Sequence, residues 1–461
     1  MNDEKTLFFM GIGGTLMGSL ALLAKEAGFS VKGFDRQIYP PMSDLLARAN
    51  IEHYEHFDPS QLQPPPELVI VGNANLPRGS EPLEYVLNQK LPYTSGAEWL
   101  GTEIFKDRQV IAVAGTHGKT TTTAMIAWIL SEAGVDPGYL IGGVPVNSEL
   151  SAKLGSDKLF VVEADEYDTS YFDRRSKFLH YRPDILVLTS LEFDHADIFE
   201  NLDAIKYQFQ HLIRAVPGNG QIIVPCNHDH IEAVLQRGCW TPITRFTTTK
   251  NAEEKFEFCA DNVLSDGSAF DVVEHGQGNV GRVSWNLLGA HNVANGLAAL
   301  IASYHAGIEL DTAIQHLSAF PGVKRRMEVI AQNDSTTVYS DFAHHPTAIA
   351  STLEGIREHV GSERVIAVIE PRTHTMSLGT LRSELKECCV AADEVIWFQS
   401  PNIKWKLEEL LVDTTLPTKI VTDIDALVTE LCEPRRQRTH VVVMSNGAFG
   451  GIYQKLTDAF H

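Results

Sequence analysis

The chain has 461 residues and a formal net charge of −21 at pH 7, and this length predicts about three domains of roughly 150 residues each. The negative charge disfavours nonspecific binding to nucleic acid or to an anionic membrane, because long-range repulsion opposes both. No apolar run is long enough to span a bilayer, and the first residues lack a basic segment followed by an apolar core. We therefore expect a cytoplasmic protein without membrane insertion. The six cysteines show no metal-finger spacing and are expected to be reduced.

Apolar strand patterns alternate with helical patterns along the chain, which predicts an α/β fold with mostly parallel sheets. The first block opens with a strand and a glycine-rich loop that contains Gly11, Gly13 and Gly14. The loop resembles a dinucleotide-binding turn, but the third glycine of that pattern falls on Leu16. Two ligands therefore stay open, a nucleotide diphosphate compound or NAD, with Asp35 at the end of the next strand reaching a ribose.

The segment GTHGKTTT, residues 115–122, lies between a short apolar strand and a helical pattern that closes near Gly134. Such a loop surrounds phosphate oxygens with backbone N–H groups at the positive end of a helix. Lys119 would bind the terminal phosphates, and Thr120 would offer its hydroxyl to Mg²⁺. The loop has the shorter GTxGKT form, since the general pattern would require glycine at Val113. We predict a binding site for a nucleoside triphosphate.

Acidic residues follow two further apolar strands of the central block. KLFVVEADEYD places Glu163 and its acidic neighbours after one strand, and DILVLTSLEFDHADIF places Asp194, His195 and Asp197 after another. Ligands of open parallel sheets bind at the carboxyl ends of the strands, so these groups are expected to converge on the nucleotide. Oxygen ligands suit Mg²⁺. Histidine is an uncommon magnesium ligand, and by itself His195 reads more simply as a surface histidine or one that lies beside the metal.

The segment LLGAHNVANGLAAL begins a helix with Asn292 and Asn295 near its first turn. A helix cap and a contact with the edge of adenine are equally open interpretations of these amides. Lys324, Arg325 and Arg326 follow as a basic cluster. A solvated charge run is the usual explanation, but in an acidic chain that uses a polyphosphate we expect at least one of these arginines to face phosphate.

The last block again repeats strand and helix, and each strand ends in a polar or glycine-rich cluster. Pro346 predicts the first turn of a helix. It follows Asp341, His344 and His345. Adjacent histidines point in different directions on most backbones, so we expect His344 and His345 to have different roles.

The motifs GIGGT, GTHGKTTT, EADEYD, EFDHAD, HNVANGLAA, GVKRRME and DFAHHPT, in this order, resemble the Mur ligase family of peptidoglycan synthesis. The resemblance covers essentially the whole chain. It implies a Rossmann-like UDP-sugar-binding domain in 1–106, a P-loop ATPase domain with a mostly parallel sheet in 107–320, and a Rossmann-like domain in 321–461 that binds the incoming amine. Further strings, among them IYPPMSD and EYDTSYFDRRSKFLHYRP, are similar to the member that joins UDP-N-acetylmuramate to the murein tripeptide L-alanyl-γ-D-glutamyl-meso-diaminopimelate in cell-wall recycling.

The resemblance also implies cofactors, ATP and Mg²⁺, and roles for matching residues. Lys119, Glu163 and His344 would be catalytic, and Thr120, Glu163 and His195 would bind Mg²⁺. The other implied contacts are ATP at Gly115, Thr116, His117, Gly118, Lys119, Thr120, Thr121, Asn292, Asn295, Arg326 and Asp341, the UDP-sugar at Gly11, Gly13, Gly14, Thr15, Asp35 and Ser95, and the peptide at Arg372 and Asn446. An ordinary surface position stays open for Arg372.

Three other functions remain as alternatives. The family member that uses L-alanine as the amine is the nearest. An NAD-dependent oxidoreductase would account for the first glycine loop and Asp35 but not for GTHGKTTT. A nucleotide-binding regulator without catalytic activity is the third. The sequence leaves the oligomeric state open between a monomer and a weak dimer.

Overall fold

The computed structural model describes residues 5–39, 42–72, 76–196, 198–226, 228–249, 255–401, 403–412 and 414–460. The chain divides into two compact units. The first unit comprises residues 1–191, 203–246 and 298–316, and the second comprises 192–202, 247–297 and 317–461. Among the described helices, none has both the length and the apolar character needed to cross a bilayer.

The first block of the chain is a parallel sheet with helices, all in the first unit. Its elements are β1 Thr6–Met10, α1 Thr15–Glu26, β2 Ser30–Phe34, α2 Met42–Arg48, β3 Glu52–Tyr54, β4 Leu68–Val71, α3 Glu81–Asn88, β5 Tyr93–Ser95 and α4 Gly96–Trp99. The strand order is β3-β2-β1-β4-β5, with parallel pairing throughout the described strands. The order reverses direction between β1 and β4, and ligands of such sheets bind at this switch point.

The central block begins with the phosphate loop predicted from the sequence. Its elements are β6 Gln109–Ala114, α5 Lys119–Glu132, β7 Gly138–Leu140, β8 Ala152–Lys153, β9 Leu159–Ala164, β10 Asp168–Ser170, β11 Asp173–Ser176, β12 Ile185–Leu188, α6 Leu202–Ala215, β13 Gln221–Pro225, α7 Asp229–Leu235 and β14 Ile243–Thr247. The sheet of the first unit runs in the order β14-β13-β12-β6-β9-β7-β8. The pairs are parallel except for β7 with β8. Strand β6, which leads into the phosphate loop, therefore lies between β12 and β9. Acidic residues lie at the carboxyl end of β9.

The chain then forms an antiparallel segment of the second unit and two helices. These elements are β15 Phe258–Asp261, β16 Ala269–Glu274, β17 Gly278–Ser284, α8 Ala290–His305 and α9 Leu310–Ser318. Strand β16 pairs antiparallel with both β15 and β17.

The last block is a doubly wound sheet in the second unit. Its elements are β18 Glu328–Gln332, β19 Thr336–Asp341, α10 Pro346–Val360, β20 Arg364–Ile369, α11 His374–Leu378, α12 Arg382–Glu387, β21 Glu394–Phe398, β22 Thr418–Val421, α13 Ile424–Leu431, β23 Thr439–Met444 and α14 Ile452–Phe460. The order is β18-β19-β23-β20-β21-β22, and among these pairs only β18 with β19 is antiparallel. The predicted α/β fold with parallel-rich sheets is confirmed.

Successive side chains of β20 are buried on opposite faces of this sheet. Val365, Ala367 and Ile369 belong to a core with residues of α10, and Ile366 and Val368 belong to a second core with residues of α13 and α14. Strands covered on both faces read as continuous apolar runs, which explains the sequence RVIAVI.

The carboxyl ends of β19, β23 and β20 lie side by side. Asp341 pairs in register with Met444, and Met444 pairs with Ile369. The residues that follow these three strands therefore meet at one edge of the sheet, as expected for parallel strands.

A close backbone contact in the second unit joins helix α10 to the loop before helix α8. A Cβ atom added to Gly355 would lie 2.8 Å from the Cα of Gly289 and 2.9 Å from its nitrogen. The Gly289 N–H also donates to the Asp266 carbonyl at 2.7 Å. This contact sets where α8 begins, and with it the position of Asn292.

We predict that Gly355→Ala destabilises the second unit. Overpacking costs about 1–3 kcal/mol, which exceeds the gain of about 1 kcal/mol in helix propensity. The net loss should appear in denaturant unfolding followed by circular dichroism. Glu354→Ala at the exposed neighbouring position is the control and should stay within about 0.5 kcal/mol of the parent. An unchanged or raised stability of Gly355→Ala would contradict the packing argument.

Candidate active site

The phosphate loop closes on itself through two glycines in backbone conformations that other residues rarely adopt. Gly115 has φ +139° and Gly118 has φ +82°. A Cβ atom on Gly115 would lie 2.2 Å from Thr189 Oγ1. Helix α5 begins directly after Gly118. The glycine positions in GTHGKT therefore follow from the tight turn between β6 and α5.

The residues after β12 hold the phosphate loop in place. Thr116 N donates to the Ser190 carbonyl at 3.1 Å, and His117 N donates to Ser190 Oγ at 2.9 Å. The Thr189 hydroxyl donates to the His117 carbonyl at 2.5 Å. Ser190 and Thr189 belong to the string LTSLEFDH. The sequence just before Asp194 and His195, called here the DH motif, therefore also shapes the phosphate loop.

Lys119 is buried and its ammonium is surrounded by acceptors. Its Nζ donates to the Gly115 carbonyl at 2.7 Å and to Glu166 Oε2 at 3.0 Å, and it lies 3.7 Å from Asp165 Oδ1. Burial alone would lower the pKa of Lys119, but the charges of Glu166, Asp165 and Glu163 outweigh it and raise that pKa above its ordinary value. The side chain is therefore a fixed positive charge at the start of α5.

Glu163 connects the phosphate loop to the next strand. Thr120 Oγ1 donates to Glu163 Oε1 at 2.9 Å, and Gly142 N donates to Glu163 Oε2 at 2.7 Å. Burial and the charge of Asp165 raise the pKa of the Glu163 carboxyl, and Lys119 opposes them. A hydroxyl and a carboxylate oxygen thus converge, and these hard oxygen donors fit Mg²⁺.

A cavity, called here the first cavity, lies at the switch point of the first sheet. Its volume is about 290 Å³, and its lining includes Gly11, Gly13, Asp35, Thr169 and Lys177. Gly14 and Thr15 also line it, and Gly14 precedes α1 without a side-chain cap. One carboxylate oxygen of Asp35 accepts the Gly13 N–H at 3.0 Å, so Asp35 braces the glycine loop as well as lining the cavity.

Ser95 has a structural role in this region. Its hydroxyl caps α4 by accepting the Glu98 N–H at 3.1 Å, and the residue is fully buried. The two residues after it, Gly96 and Ala97, line the cavity. The predicted contact of Ser95 with the UDP-sugar stays a prediction.

The DH motif lies in the second unit and is held there by helix α11. Asp194 is buried, and its Oδ1 accepts the His195 N–H at 2.7 Å and the Thr375 hydroxyl at 3.1 Å. Burial alone would raise the pKa of Asp194, but the adjacent His195 and the histidines at 344 and 345 lower it overall. His195 itself has φ +57°. Asp197 lies outside the described residues. Thr120 and Glu163 belong to the first unit and His195 to the second, so their union in one metal site stays a prediction.

Asn292 and Asn295 lie inside the first turns of α8 and are both buried. Asn292 Nδ2 donates to the Leu288 carbonyl at 2.8 Å, and Asn295 Nδ2 donates to Asn292 Oδ1 at 3.4 Å. Asn292 therefore returns a hydrogen bond to the preceding loop, and the two amides are ordered relative to each other. Recognition of adenine by these amides stays a prediction.

The two adjacent arginines of the basic cluster have different surroundings. Arg325 Nη2 lies 2.7 Å from the carbonyls of Ser445 and Gly447 and 3.0 Å from the Tyr453 hydroxyl. Its guanidinium also stacks over the Tyr453 ring, 4.7 Å from the centroid. The Arg326 guanidinium lies 5.0 Å from the centroid of the Phe342 ring. Arg325 is thus tied to the turn after β23.

Asp341 is fixed at the end of β19. Its carboxylate accepts Met327 N at 2.9 Å and Ala343 N at 2.8 Å. Burial raises the pKa of Asp341, and the charge of Arg326 opposes that rise.

The two adjacent histidines have different hydrogen bonds, as predicted. His344 Nδ1 lies 2.8 Å from the Phe342 carbonyl. A carbonyl only accepts, so Nδ1 carries the proton and a neutral ring has its lone pair on Nε2. His345 Nδ1 instead accepts the Thr347 N–H at 3.3 Å and caps α10, which starts at Pro346. The predicted helix start at Pro346 is confirmed, and His345 is a capping residue.

Arg372 and Asn446 follow the neighbouring strands β20 and β23. Arg372 is exposed, and its guanidinium lies against Gly447, where an added Cβ would be 1.9 Å from Nη1. The Asn446 Oδ1 atom is buried without a hydrogen-bond partner. The buried Ser445 hydroxyl donates to Glu370 Oε2 at 2.5 Å. A cation and an unsatisfied acceptor therefore lie at one edge of the sheet.

Family models match three consecutive segments of the chain. The family described as Mur ligase family, catalytic domain, matches residues 6–106, Mur ligase middle domain matches 113–303, and Mur ligase, glutamate ligase domain, matches 325–447. The chain belongs to the Mur ligase family. The predicted three-domain Mur ligase architecture is confirmed, whereas the boundaries at 106/107 and 320/321 stay predictions.

This Mur ligase is similar over nearly its full length to a tripeptide ligase. It is 46% identical to UDP-N-acetylmuramate–L-alanyl-gamma-D-glutamyl-meso-2,6-diaminoheptandioate ligase of Escherichia coli (strain K12), with 98% of this chain and 97% of the relative covered. A murein peptide ligase from Psychrobacter arcticus 273-4 has a similar crystal structure, with a TM-score of 0.75, 42% identity, and 99% and 98% of the two chains covered. The UDP-N-acetylmuramate–L-alanine ligase of Caldicellulosiruptor bescii is 33% identical, with 84% and 82% covered. The predicted greater similarity to the tripeptide ligase is confirmed.

Several groups at these sites were not assigned by the sequence argument. Glu166 and Asp165 are counter-ions of Lys119, Gly142 supports Glu163, and Lys177 lines the first cavity. Thr375 supports Asp194. The acidic run EADEYD gave a signal for the two counter-ions, but a lone lysine or threonine gives none.

We predict that Arg325 stabilises the second unit through its contacts with the turn after β23. Arg325→Lys replaces a planar guanidinium that donates to several acceptors, and the ammonium of lysine cannot reproduce these contacts. The expected cost is about 1–3 kcal/mol. Arg436→Lys, at an exposed arginine of the same unit, is the control and should stay within about 0.5 kcal/mol of the parent. Denaturant unfolding measures both variants, and equal losses would contradict the assignment.

Proposed function

We propose that this Mur ligase joins UDP-N-acetylmuramate to the tripeptide L-alanyl-γ-D-glutamyl-meso-diaminopimelate in an ATP-dependent reaction. The observation that carries the proposal is the near full-length identity of 46% to the E. coli ligase whose name states these two substrates. The phosphate loop adds a physical reason, because a buried ammonium at a helix N-terminus is suited to a triphosphate. The product belongs to peptidoglycan recycling.

The proposed ATP site has its phosphate contacts on the loop 115–121. Lys119 supplies the fixed charge, and Arg326 approaches the phosphates. Asn292 and Asn295 would recognise adenine, and Asp341 the ribose or the closure of the domains. The proposed domains are 1–106 for the UDP-sugar, 107–320 for ATP and 321–461 for the peptide amine. Since the contributing residues lie in separate domains, ligand binding is expected to involve domain closure.

The proposed Mg²⁺ ligands are Thr120, Glu163 and His195. Support comes from the contact of the Thr120 hydroxyl with Glu163 Oε1 at 2.9 Å, which brings two oxygen donors of the preferred type together. Mg²⁺ would neutralise charge on the phosphates.

The proposed UDP-sugar site is the cavity at the first switch point. Gly11, Gly13, Gly14 and Thr15 line this cavity, and the N-terminus of α1, which starts at Thr15, would bind the diphosphate. Asp35 would bind the ribose, and Ser95 lies next to two lining residues. For the peptide, Arg372 would bind a carboxylate and Asn446 an ammonium of diaminopimelate. The unsatisfied Asn446 Oδ1 supports this role, because a buried acceptor without a partner is unfavourable.

The reaction must turn a poor electrophile into a good one. ATP supplies the phosphoryl group that converts the lactyl carboxylate of the sugar into an acyl phosphate, which the amine then attacks with loss of phosphate. The residues position the reactants and balance negative charge, which is the main requirement of phosphoryl transfer. Lys119 is held protonated for this task by Glu166, Asp165 and Glu163.

The amine step needs little help from a base. A peptide α-amino group has a pKa near 8, so about one tenth is neutral at pH 7, which is a deficit of about 1.4 kcal/mol. His344 is suited to accept the proton at Nε2, because its Nδ1 is committed to the Phe342 carbonyl at 2.8 Å. Its contribution is therefore expected to be modest.

A cytoplasmic location and a monomeric or weakly dimeric state are further proposals. The proposed substrates are nucleotide-linked precursors and recovered peptides, and the chain charge of −21 gives no support for a nucleic-acid partner.

The amine specificity is tested by ADP release with UDP-N-acetylmuramate as acceptor. We expect release with the tripeptide and little with free L-alanine, because Arg372 and Asn446 offer contacts that only the longer amine uses. The reaction without amine is the control. Equal or greater turnover with L-alanine would favour the alanine ligase. ATP binding without turnover on any murein fragment would favour a nucleotide-binding regulator.

We expect loss of Lys119 to lower kcat/KM more than loss of His344 does. Lys119→Met should lower kcat/KM by about 10²–10³-fold, as expected when a charge-stabilising donor is removed. His344→Ala should cost about tenfold, because the deprotonation deficit is small. Lys158→Met at an exposed lysine before β9 is the matched control and should keep parental activity. Equal losses for Lys119→Met and His344→Ala would contradict this ranking.

A further inference from the structure

Helix α11 carries a buried hydroxyl that forms two hydrogen bonds with the segment 192–202, called here the DH loop. Thr375 is 2% exposed. Its Oγ1 donates to Asp194 Oδ1 at 3.1 Å and accepts the Ala196 N–H at 3.3 Å. The two partners flank His195, so one hydroxyl bonds the carboxylate of Asp194 on one side of that residue and the backbone of Ala196 on the other.

Helix α11 is itself well anchored in the second unit. The Thr373 hydroxyl caps it by accepting the Met376 N–H at 3.2 Å. The Met376 carbonyl accepts the Trp405 Nε1–H at 2.8 Å, and the Met376 side chain is fully buried. Thr375 therefore presents its hydroxyl from a rigid element, which is the requirement for holding a neighbouring loop in one geometry.

The other end of the DH loop is bound to the same unit. Glu192 Oε2 accepts the Thr347 hydroxyl at 2.8 Å and lies 3.8 Å from His345 Nδ1. His195 has φ +57°, and its carbonyl accepts the Ile198 N–H at 2.9 Å. A non-glycine residue in this backbone region persists only where its surroundings hold it. The Thr375 contacts are part of those surroundings.

We infer that Thr375 is a positioning residue: through Asp194 and Ala196 it holds His195 in the orientation needed to bind the metal, and it ties that loop to the α11 segment that follows Arg372. The inference deepens the proposed function and rests on it for the metal and for the peptide. Because Arg372 and Thr375 are three positions apart, the peptide contact and the support of the metal ligand share one short segment.

The first test uses the full chain without ligands. Thr375→Val keeps the shape of the side chain but removes both hydrogen bonds, so amide hydrogen exchange in the segment 192–202 should become about tenfold faster. Thr375→Ser restores the hydroxyl and should exchange as the parent does. Thr439→Val removes another fully buried threonine hydroxyl, whose partner is the Gln437 carbonyl, and should leave this segment unchanged.

The second test measures ADP release as a function of Mg²⁺ and of tripeptide. Loss of a group that supports a metal ligand typically costs about 10–100-fold in metal affinity, so the KM for Mg²⁺ of Thr375→Val should rise about tenfold or more. The KM for tripeptide should change by less than about twofold, since a residue outside the peptide site adds no binding of its own. Thr375→Ser should recover the parental KM for Mg²⁺.

The inference would be overturned if Thr375→Val exchanged amide hydrogens at the parental rate, or if Thr375→Ser restored neither the exchange rate nor the KM for Mg²⁺. A rise in the KM for tripeptide alone would also overturn it. Should Thr375→Val not fold, Thr375→Ala replaces it with the same expected direction in both tests. Failure of the proposed function is separable, because it would appear as absent ADP release in the parent while the exchange result still reports on the loop.

Discussion

The charge balance around Lys119 is the constraint on which the rest of the site depends. An ammonium buried at the start of a helix is costly unless carboxylates pair with it, and Glu166 at 3.0 Å and Asp165 at 3.7 Å provide that pairing. These acids follow β9, so β9 must lie beside β6, as the parallel register of the two strands shows. Glu163 from the same strand end then reaches Thr120. The pairing of one buried charge thus accompanies the placement of β9 beside β6 and the contact between two of the predicted metal ligands, Thr120 and Glu163.

Local spacing was enough to predict the phosphate loop, because the tight turn between β6 and α5 requires glycines at fixed positions. The strand patterns were enough to predict that each strand of the last block ends in a polar or glycine-rich cluster, and the structure shows that the ends of β19, β23 and β20 lie side by side. The sequence could not separate Arg325 from Arg326, since adjacent residues of one type differ only in what they contact. It also could not reveal Thr375, which lies 181 positions from Asp194 in no local pattern.

Two positions, His345 and Ser95, show that residues with a structural role lie next to residues with a predicted functional role. His345 caps α10 by accepting the Thr347 N–H at its Nδ1 atom. The Nδ1 atom of its neighbour His344 instead donates to the Phe342 carbonyl. Ser95 similarly uses its hydroxyl for a cap, and the residues after it line the cavity. In both cases the capping residue, His345 or Ser95, stabilises the backbone next to the residues with a predicted role. The sequence predicted different roles for His344 and His345, but it did not reveal that His345 is the cap of α10.

The walls of the first cavity come from more than one block of the chain. Thr169 and Lys177 line it, although both lie beyond residue 106 on or just after the β10–β11 hairpin. A fragment of residues 1–106 would keep the glycine loop but lose this wall and its cation. Ligand screening or crystallography on the excised first block would therefore sample an incomplete pocket, and inhibitor design against the proposed sugar-nucleotide site needs a fragment that includes Thr169 and Lys177.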